Sequence, residues 1–257
     1  MIITETESHY TFIQQHDHAV ISGKLSKEWN DTYLLGREKR MSVELAIQQH
    51  DACWKTLDLE PLFSEEIQEP LSFINYPLEV KIAAYRKGID EMYGEDKYAA
   101  LLISKHYSSF FTGNLSNSGR EFKNHELRRQ KLLCNELQIH EPKVLDEHFR
   151  LLQLCDNLSL YLCMNEWGVE KEKEISWFKE GFPQRIPPAK KEKMRARWIN
   201  KTTVVISPFP FKKECITVVI PYKKIPKSNY SKAHFKEIYI NNKLEYHTVK
   251  IIAYNNI

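Results

Sequence analysis

Residues 48–54 read QQHDACW, and how this stretch is read decides the fold of the chain around it. Val43, Ala46, Ile47, His50 and Trp54 recur at i, i+3, i+4, i+7 and i+11, so the periodicity predicts a helix over 37–58 with His50 on its apolar stripe. Asp51 follows one step round the same wall. A carboxylate beside an imidazole on an inward face is costly to desolvate unless a positive charge meets both, and a divalent cation does so in one step. Taken alone, the pair also admits a plainer account, a satisfied core histidine beside a solvated aspartate.

Three further stripes carry groups of the same kind. Around 14–30 the inward positions are His18, Ile21, Ser22, Leu25 and Trp29; over 97–112 they are Ala99, Leu102, Ile103, His106 and Phe110; over 142–165 they are Phe149, Leu152, Asp156, Leu160 and Cys163. Four predicted helices thus each present an ionisable side chain on an apolar face, and every one is a metal-ligand type. One shared cation explains this better than four separate burials.

The order His18, then adjacent His50 and Asp51, then Asp156 resembles the His…His-Asp…Asp pattern of the HD-domain metal-dependent phosphohydrolase superfamily. QHDHAVISGKLS (15–26), QQHDACW (48–54), ALLISKH (100–106) and LLQLCDNLSLYLC (151–163) resemble a bacterial family, a domain of unknown function, placed within that superfamily. The likeness covers roughly residues 10–168. It implies an HD-like helical bundle and water-driven cleavage of a phosphoester at a metal site. The chain departs from the pattern after the dipeptide: many dinuclear members continue with glycine and then lysine or histidine, whereas Ala52, Cys53 and Trp54 follow here.

Elsewhere the sequence bounds the answer. The 257 residues, 42% of them hydrophobic, suit one large domain or a main domain with an appendage. No apolar run approaches the length of a membrane span, and the first residues, MIITETESHY, lack a basic stretch followed by an apolar one. A cytoplasmic protein that makes no membrane contact is expected. Cys53, Cys134, Cys155, Cys163 and Cys215 are odd in number and mostly lie in helical patterns, which suits reduced structural thiols. The net charge of +3 conceals a division: residues 1–178 carry 20 Lys and Arg against 29 Asp and Glu, a net of −9, and residues 179–257 carry 17 against 5, a net of +12. A basic segment attracts phosphate in any form, nucleic acid included, as well as the protein's own acidic body.

Residues 2–13 alternate like a short hairpin or strand. Helices are expected at 14–30, 37–58, 78–93, 97–112, 121–138 and 142–166. The segment 58–77, with Pro61, Pro70 and Pro77, cannot be one helix, and as a long loop after the His-Asp helix it is placed to roof a metal cleft. GNLSNSG (113–119) reads as a loop. After the charged link 180–198, the stretches TTVVIS (202–207), CITVVIPY (215–222), EIYINN (237–242) and YHTVKIIAY (246–254) read as antiparallel strands, with Asn241-Asn242 as the turn between the last two. The fold expected is mainly α, an HD-like bundle with a small antiparallel β-sheet, α+β overall. Residues 1–178 would form the metal-binding domain, and 179–257 a basic linker and β subdomain packed on it and bounding one side of the cleft.

The candidate ligands are His18, His50, Asp51, Asp156 and His106, for one or two ions of manganese, iron, cobalt, nickel or zinc. Such an ion acidifies water and polarises a phosphoryl oxygen. Asp51, as a bridging ligand, and His106, as a ligand or as a hydrogen-bond donor to water or phosphate, are the catalytic candidates. His16 lies about 200° round the helix from His18 and points elsewhere; His125 sits on a polar helix start. Lys105, Arg128, Arg129 and Arg150 are candidate phosphate clamps, Lys105 and Arg129 foremost. The expected activity is a metal-dependent phosphohydrolase acting on a nucleotide or other small phosphoester. The alternatives are a non-catalytic metal- or ligand-binding regulatory module, its basic tail touching nucleic acid, and a di-iron oxygenase.

Overall fold

The computed structural model describes residues 1–227 and 234–254. Strands β1 (Ile2–Glu5) and β2 (His9–Ile13) lead into helix α1 (Gln15–Lys27), followed by α2 (Arg40–Gln49), α3 (Lys55–Leu59) and a hairpin of β3 (Phe63–Ser64) and β4 (Glu69–Pro70). Then come α4 (Leu78–Glu95), α5 (Lys97–Ser109), α6 (Asn117–Glu136), α7 (Pro142–Met164) and the short α8 (Ser176–Lys179). Strands β5 (Arg195–Asn200), β6 (Thr203–Ser207) and β7 (Cys215–Pro226), helix α9 (Phe235–Asn241) and strand β8 (Leu244–Ala253) complete the described chain. Local signals set several boundaries. The Asp96 carboxylate accepts the Ala99 amide at 2.9 Å and caps α5. Ser116 accepts the Gly119 amide at 3.2 Å, which starts α6 inside the segment expected as loop.

The bundle is built around α1, which packs on α2 and α7, while α5 packs on α2, α6 and α7. Small and polar side chains make the α1 contacts close. A Cβ on Gly23 would meet the Gln48 Cβ at 2.6 Å, so glycine is what lets α1 lie against α2. Against α7, Ser22 donates to Ser159 Oγ at 2.8 Å, and Ser159 Oγ lies 2.8 Å from the Asp156 carbonyl. The turn of α7 that bears Asp156 is thereby tied to the turn of α1 that bears His18.

The helix expected over 37–58 is interrupted at the dipeptide itself. Its main run ends at Gln49, Asp51 leaves helical geometry at φ −113°, ψ 23°, and a single 3-10 turn over 52–54 precedes α3. The Tyr107 hydroxyl takes the His50 carbonyl, where a continued helix would have placed an amide.

The chain is α+β, with a sheet larger than the small antiparallel one expected. Its order is β1-β2-β7-β8-β6-β5, and β6 runs parallel to β8. Both N-terminal strands join it, through pairs from His9 with Pro226 to Phe12 with Lys223. EIYINN is not a strand: Phe235 and Tyr239, four apart, are buried with Met1, Tyr10, Phe12 and Ile225, a helical spacing that makes this segment α9. Asn241-Asn242 accordingly ends a helix. The charged link contains a further strand, β5, whose buried Ala196 and Trp198 alternate with exposed Arg195 and Arg197. Residues 228–233 and 255–257 of the expected β subdomain lie outside the described residues.

Sheet and bundle share one apolar core, in which Leu25, Leu102 and Leu158 of the helices adjoin Trp198, Val218 and Val249 of the strands. Phe182, Ile186, Ala189 and Met194 of the link are buried in the same core. Five free cysteines are present, Cys155 and Cys163 buried on α7. Among the described residues no helix is long and apolar enough to cross a membrane.

Candidate metal centre

Five donor side chains from four helical walls converge. Nε2 of His18, on α1, lies 3.2 Å from Asp156 Oδ1, on α7, and 3.6 Å from Asp51 Oδ2. Nε2 of His50 is 3.4 Å from that Asp156 oxygen and 3.8 Å from that Asp51 oxygen. His106, from α5, places Nε2 3.8 Å from Asp156 Oδ2. The donors form two triads, His18-His50-Asp51 and His50-His106-Asp156, each with its donor atoms within 4.8 Å of one another. All five residues are buried. Donors about 2.1 Å from a common ion stand about 3.0–3.4 Å apart in tetrahedral or octahedral arrangements, close to the separations seen here.

The break after His50 is what brings adjacent residues to one point. Successive residues of an unbroken helix diverge by about 100°. Here the chain turns out of α2 at Asp51, and Tyr107, which also lies 3.3 Å from Asp51 Oδ1 and 3.0 Å from Cys53 Sγ, holds the turn.

The polar pattern calls for a positive charge at His50 Nε2, either a proton or a metal ion. His50 Nδ1 is 2.8 Å from the Ile47 carbonyl, which can only accept, so Nδ1 carries the hydrogen and Nε2 faces the two carboxylates. Nε2 is buried and has no hydrogen-bond partner. A lone pair facing carboxylate oxygens is repulsive unless a proton or a metal ion lies between them. Burial works against a charge on His50, but Asp51 and Asp156 outweigh it and push its pKa up to about 9. Burial alone would raise Asp156; His18 and His50 reverse that and hold it ionised. Burial, aided by the charges of His50 and His18, pushes His106 down to about 3 and leaves it a neutral ligand type. A nitrogen-bound hydrogen donated to a backbone carbonyl is also how metal-ligating imidazoles are usually oriented. The residues therefore fit a metal ion.

The cluster forms the floor of a cavity of about 660 Å³, to which His18, Asp51, His106 and Asp156 contribute. Segment 58–77 does wall it, through Phe73 and Ile74. The Phe73 amide bonds the Met1 carbonyl at 2.8 Å, and Leu71 bonds the Leu62 carbonyl at 2.8 Å, which fixes this stretch against β1 and the β3–β4 hairpin. The basic strands expected to bound the cleft do not line it; Trp177 of α8 stands on that side.

The other residues singled out from the sequence lie elsewhere. Lys105 pairs with Asp146 at 3.3 Å and covers the Phe149 ring; Arg129 donates to Asp90 at 2.5 Å and ion-pairs with Glu126 at 3.1 Å. Neither lines the cavity. His125 is half-exposed, 2.9 Å from Glu126 Oε1. His16 belongs to neither triad, as its helical direction implies. Sequence reasoning missed Tyr107, although its place four residues after Ile103 and three before Phe110 continues an apolar helical spacing. It also missed Lys81, which lines the cavity and lies four residues before the buried Tyr85 on α4, a spacing that offered a hint.

No curated protein and no solved structure matches the chain. A family model described as a protein of unknown function, DUF3891, matches residues 1–227, a span that takes in all five donor residues. With most of its length matched, the chain belongs to the DUF3891 family.

Proposed function

We propose that this chain is a metal-dependent phosphohydrolase of the HD-domain type, acting on a small phosphoester. One observation carries the reading: three imidazoles and two carboxylates, in the order His, His-Asp, His, Asp, meet at one point, four of them on the floor of an open cavity and His50 behind them with its Nε2 atom lacking a partner. His18, His50, Asp51 and Asp156 would hold a divalent transition metal, and His106 is near enough to complete its shell or share a second ion. When bound, manganese, iron, cobalt, nickel or zinc supplies Lewis acidity toward phosphoryl oxygen and acidifies water. The chain's own part is to hold the donors rigid through Ile47, Tyr107 and the Ser22–Ser159 lock. His106, kept neutral by burial, offers Nε2 as a ligand or as a hydrogen-bond partner to water or phosphate beside Asp156.

Protein loaded with manganese, cobalt or nickel is expected to hydrolyse para-nitrophenyl phosphate, and Asp51→Ala is expected to lose both metal and turnover. His106→Ala separates two roles: loss of one metal equivalent marks a ligand, and retained metal with lowered kcat marks a proton or hydrogen-bond partner. His16→Ala should leave metal content unchanged. Metal-replete protein that turns over no phosphoester in a broad panel sinks the hydrolase reading. Iron content with oxygen uptake would then favour the oxygenase alternative, and steeply salt-dependent nucleic-acid binding a regulatory module.

A further inference from the structure

We infer that the ligand of this cleft is a phosphate monoester whose other end is an apolar ring. The phosphate end rests on the hydrolase reading above; the apolar end stands on the cavity alone. Above the donor floor, the walls are Trp54, Phe73, Tyr85, Phe110, Leu160 and Trp177. Ordinary apolar packing explains the inner part of this wall, where Trp54 meets Tyr85 with ring centroids 6.3 Å apart and Tyr85 stacks on Tyr107 at 4.0 Å. It does not explain the mouth. Ile74 is 54% exposed, Phe110 53% and Trp177 52%, and all three line the same opening, although they come from three distant parts of the sequence. Large apolar side chains gathered at the rim of a concave site mark apolar ligand contact, whereas scattered ones carry no such meaning.

The charge of the cavity sets the other end of the ligand. Lys81 is the one Lys or Arg among its described lining residues. Its ammonium donates to the Phe73 and Ile74 carbonyls at 3.1 and 3.3 Å and has no carboxylate within ion-pair distance among the described residues. An ammonium has three hydrogens, so one remains for a ligand anion. Burial also lowers its pKa, as expected for a cation that has not been given an anionic partner. The neighbouring cations Lys105 and Arg129 are already paired with Asp146, Asp90 and Glu126. One free ammonium plus a resident cation suits a single phosphate. Sites that handle a chain of phosphates bring several cations and a backbone cradle to bear. The cavity volume of about 660 Å³ accommodates a ring system beyond the phosphate.

The test uses non-hydrolysable probes on the full-length manganese-loaded protein, read by calorimetry. Naphthylmethylphosphonate should bind at least about tenfold more tightly than methylphosphonate, the difference being the apolar area buried. Trp177→Ala should shrink that ratio while metal content and Tm stay at wild-type values; Phe110→Ala should shrink it too, with metal content measured alongside because its ring packs edge-on to His106 at 4.7 Å. Lys81→Met should weaken both probes, and Lys81→Arg should restore them. Equal affinity for the two probes, or a ratio indifferent to Trp177 and Phe110, overturns the inference. Turnover separates it from the hydrolase reading. Protein that shows the binding preference yet leaves naphthyl phosphate intact loses the hydrolase reading and keeps the apolar-ring end of the ligand. Protein that cleaves glycerol phosphate as efficiently as naphthyl phosphate keeps the hydrolase reading and loses the ligand class.

Discussion

Tyr107→Phe removes one oxygen atom from the point on which the centre turns. The hydroxyl donates to the His50 carbonyl and lies 3.0 Å from Cys53 Sγ and 3.3 Å from Asp51 Oδ1, while the ring stacks on Tyr85 at 4.0 Å. The ring contact survives the substitution, so the loss is confined to polar groups. A buried carbonyl left without its donor costs about 1–3 kcal/mol. Since 1 kcal/mol moves Tm by about 2–4 °C in a chain of this size, Tm should fall by about 2–12 °C. The same bond orients a ligand pair from behind, a kind of contact whose loss typically weakens metal binding about 10–100-fold. The assay is a thermal melt with and without metal, beside a competition titration for manganese affinity. A variant that melts within about a degree of wild type and binds manganese equally well would refute the claim that this hydroxyl holds the His-Asp turn.

Gly23→Ala should lower both Tm and metal affinity, because the new Cβ meets Gln48 Cβ at 2.6 Å and forces α1, with His18, away from α2. Gly94→Ala, where a Cβ meets nothing within 4 Å, should instead raise stability by up to about 1 kcal/mol through reduced unfolded-state freedom. His148, buried on α7, accepts from the Tyr98 hydroxyl at 2.7 Å and donates to the Leu35 carbonyl at 2.8 Å; burial lowers its pKa in the fold below the ordinary 6.5. The unfolded chain therefore takes up this proton first, and the stability held above pH 6.5 is lost as pH falls from there through the folded pKa. Melts from pH 7.5 to 5 should show a shallower loss in His148→Gln than in wild type, although that variant begins less stable; an unchanged slope would exclude His148 as a source. Asp58→Ala should loosen the start of α1, whose Gln15 amide bonds Asp58 Oδ2 at 2.6 Å, and lower stability by at least about 1–3 kcal/mol, read as a fall in Tm, because the same carboxylate also pairs with the buried Met1 amino group at 2.6 Å.

Local periodicity determined a good deal of this protein. Spacings of three and four placed His18, His50, His106 and Asp156 among apolar neighbours, and the buried faces of α1 and α2 follow those stripes; α5 and the second half of α7 are buried almost all round, and Phe110, expected inward, lies half exposed. That signal is legible because a helix repeats over a few residues, within reach of any window. The same logic was available for α9 and β5 but was masked, in one case by β-branched composition and in the other by a dense run of Lys and Arg. What required the folded molecule depends on partners far apart in sequence. Strand β2 finds β7 across more than half the chain, and the break at Asp51 exists because Tyr107 of another helix accepts the role of the missing amide. The choice of free cation is of the same kind. Lys105, Arg129 and Lys81 look alike as residues on helices; Asp146, Asp90 and Glu126 occupy the first two, and two backbone carbonyls turn the third toward the cavity. A charge acts through what stands within a few ångströms of it, and only tertiary packing decides what that is.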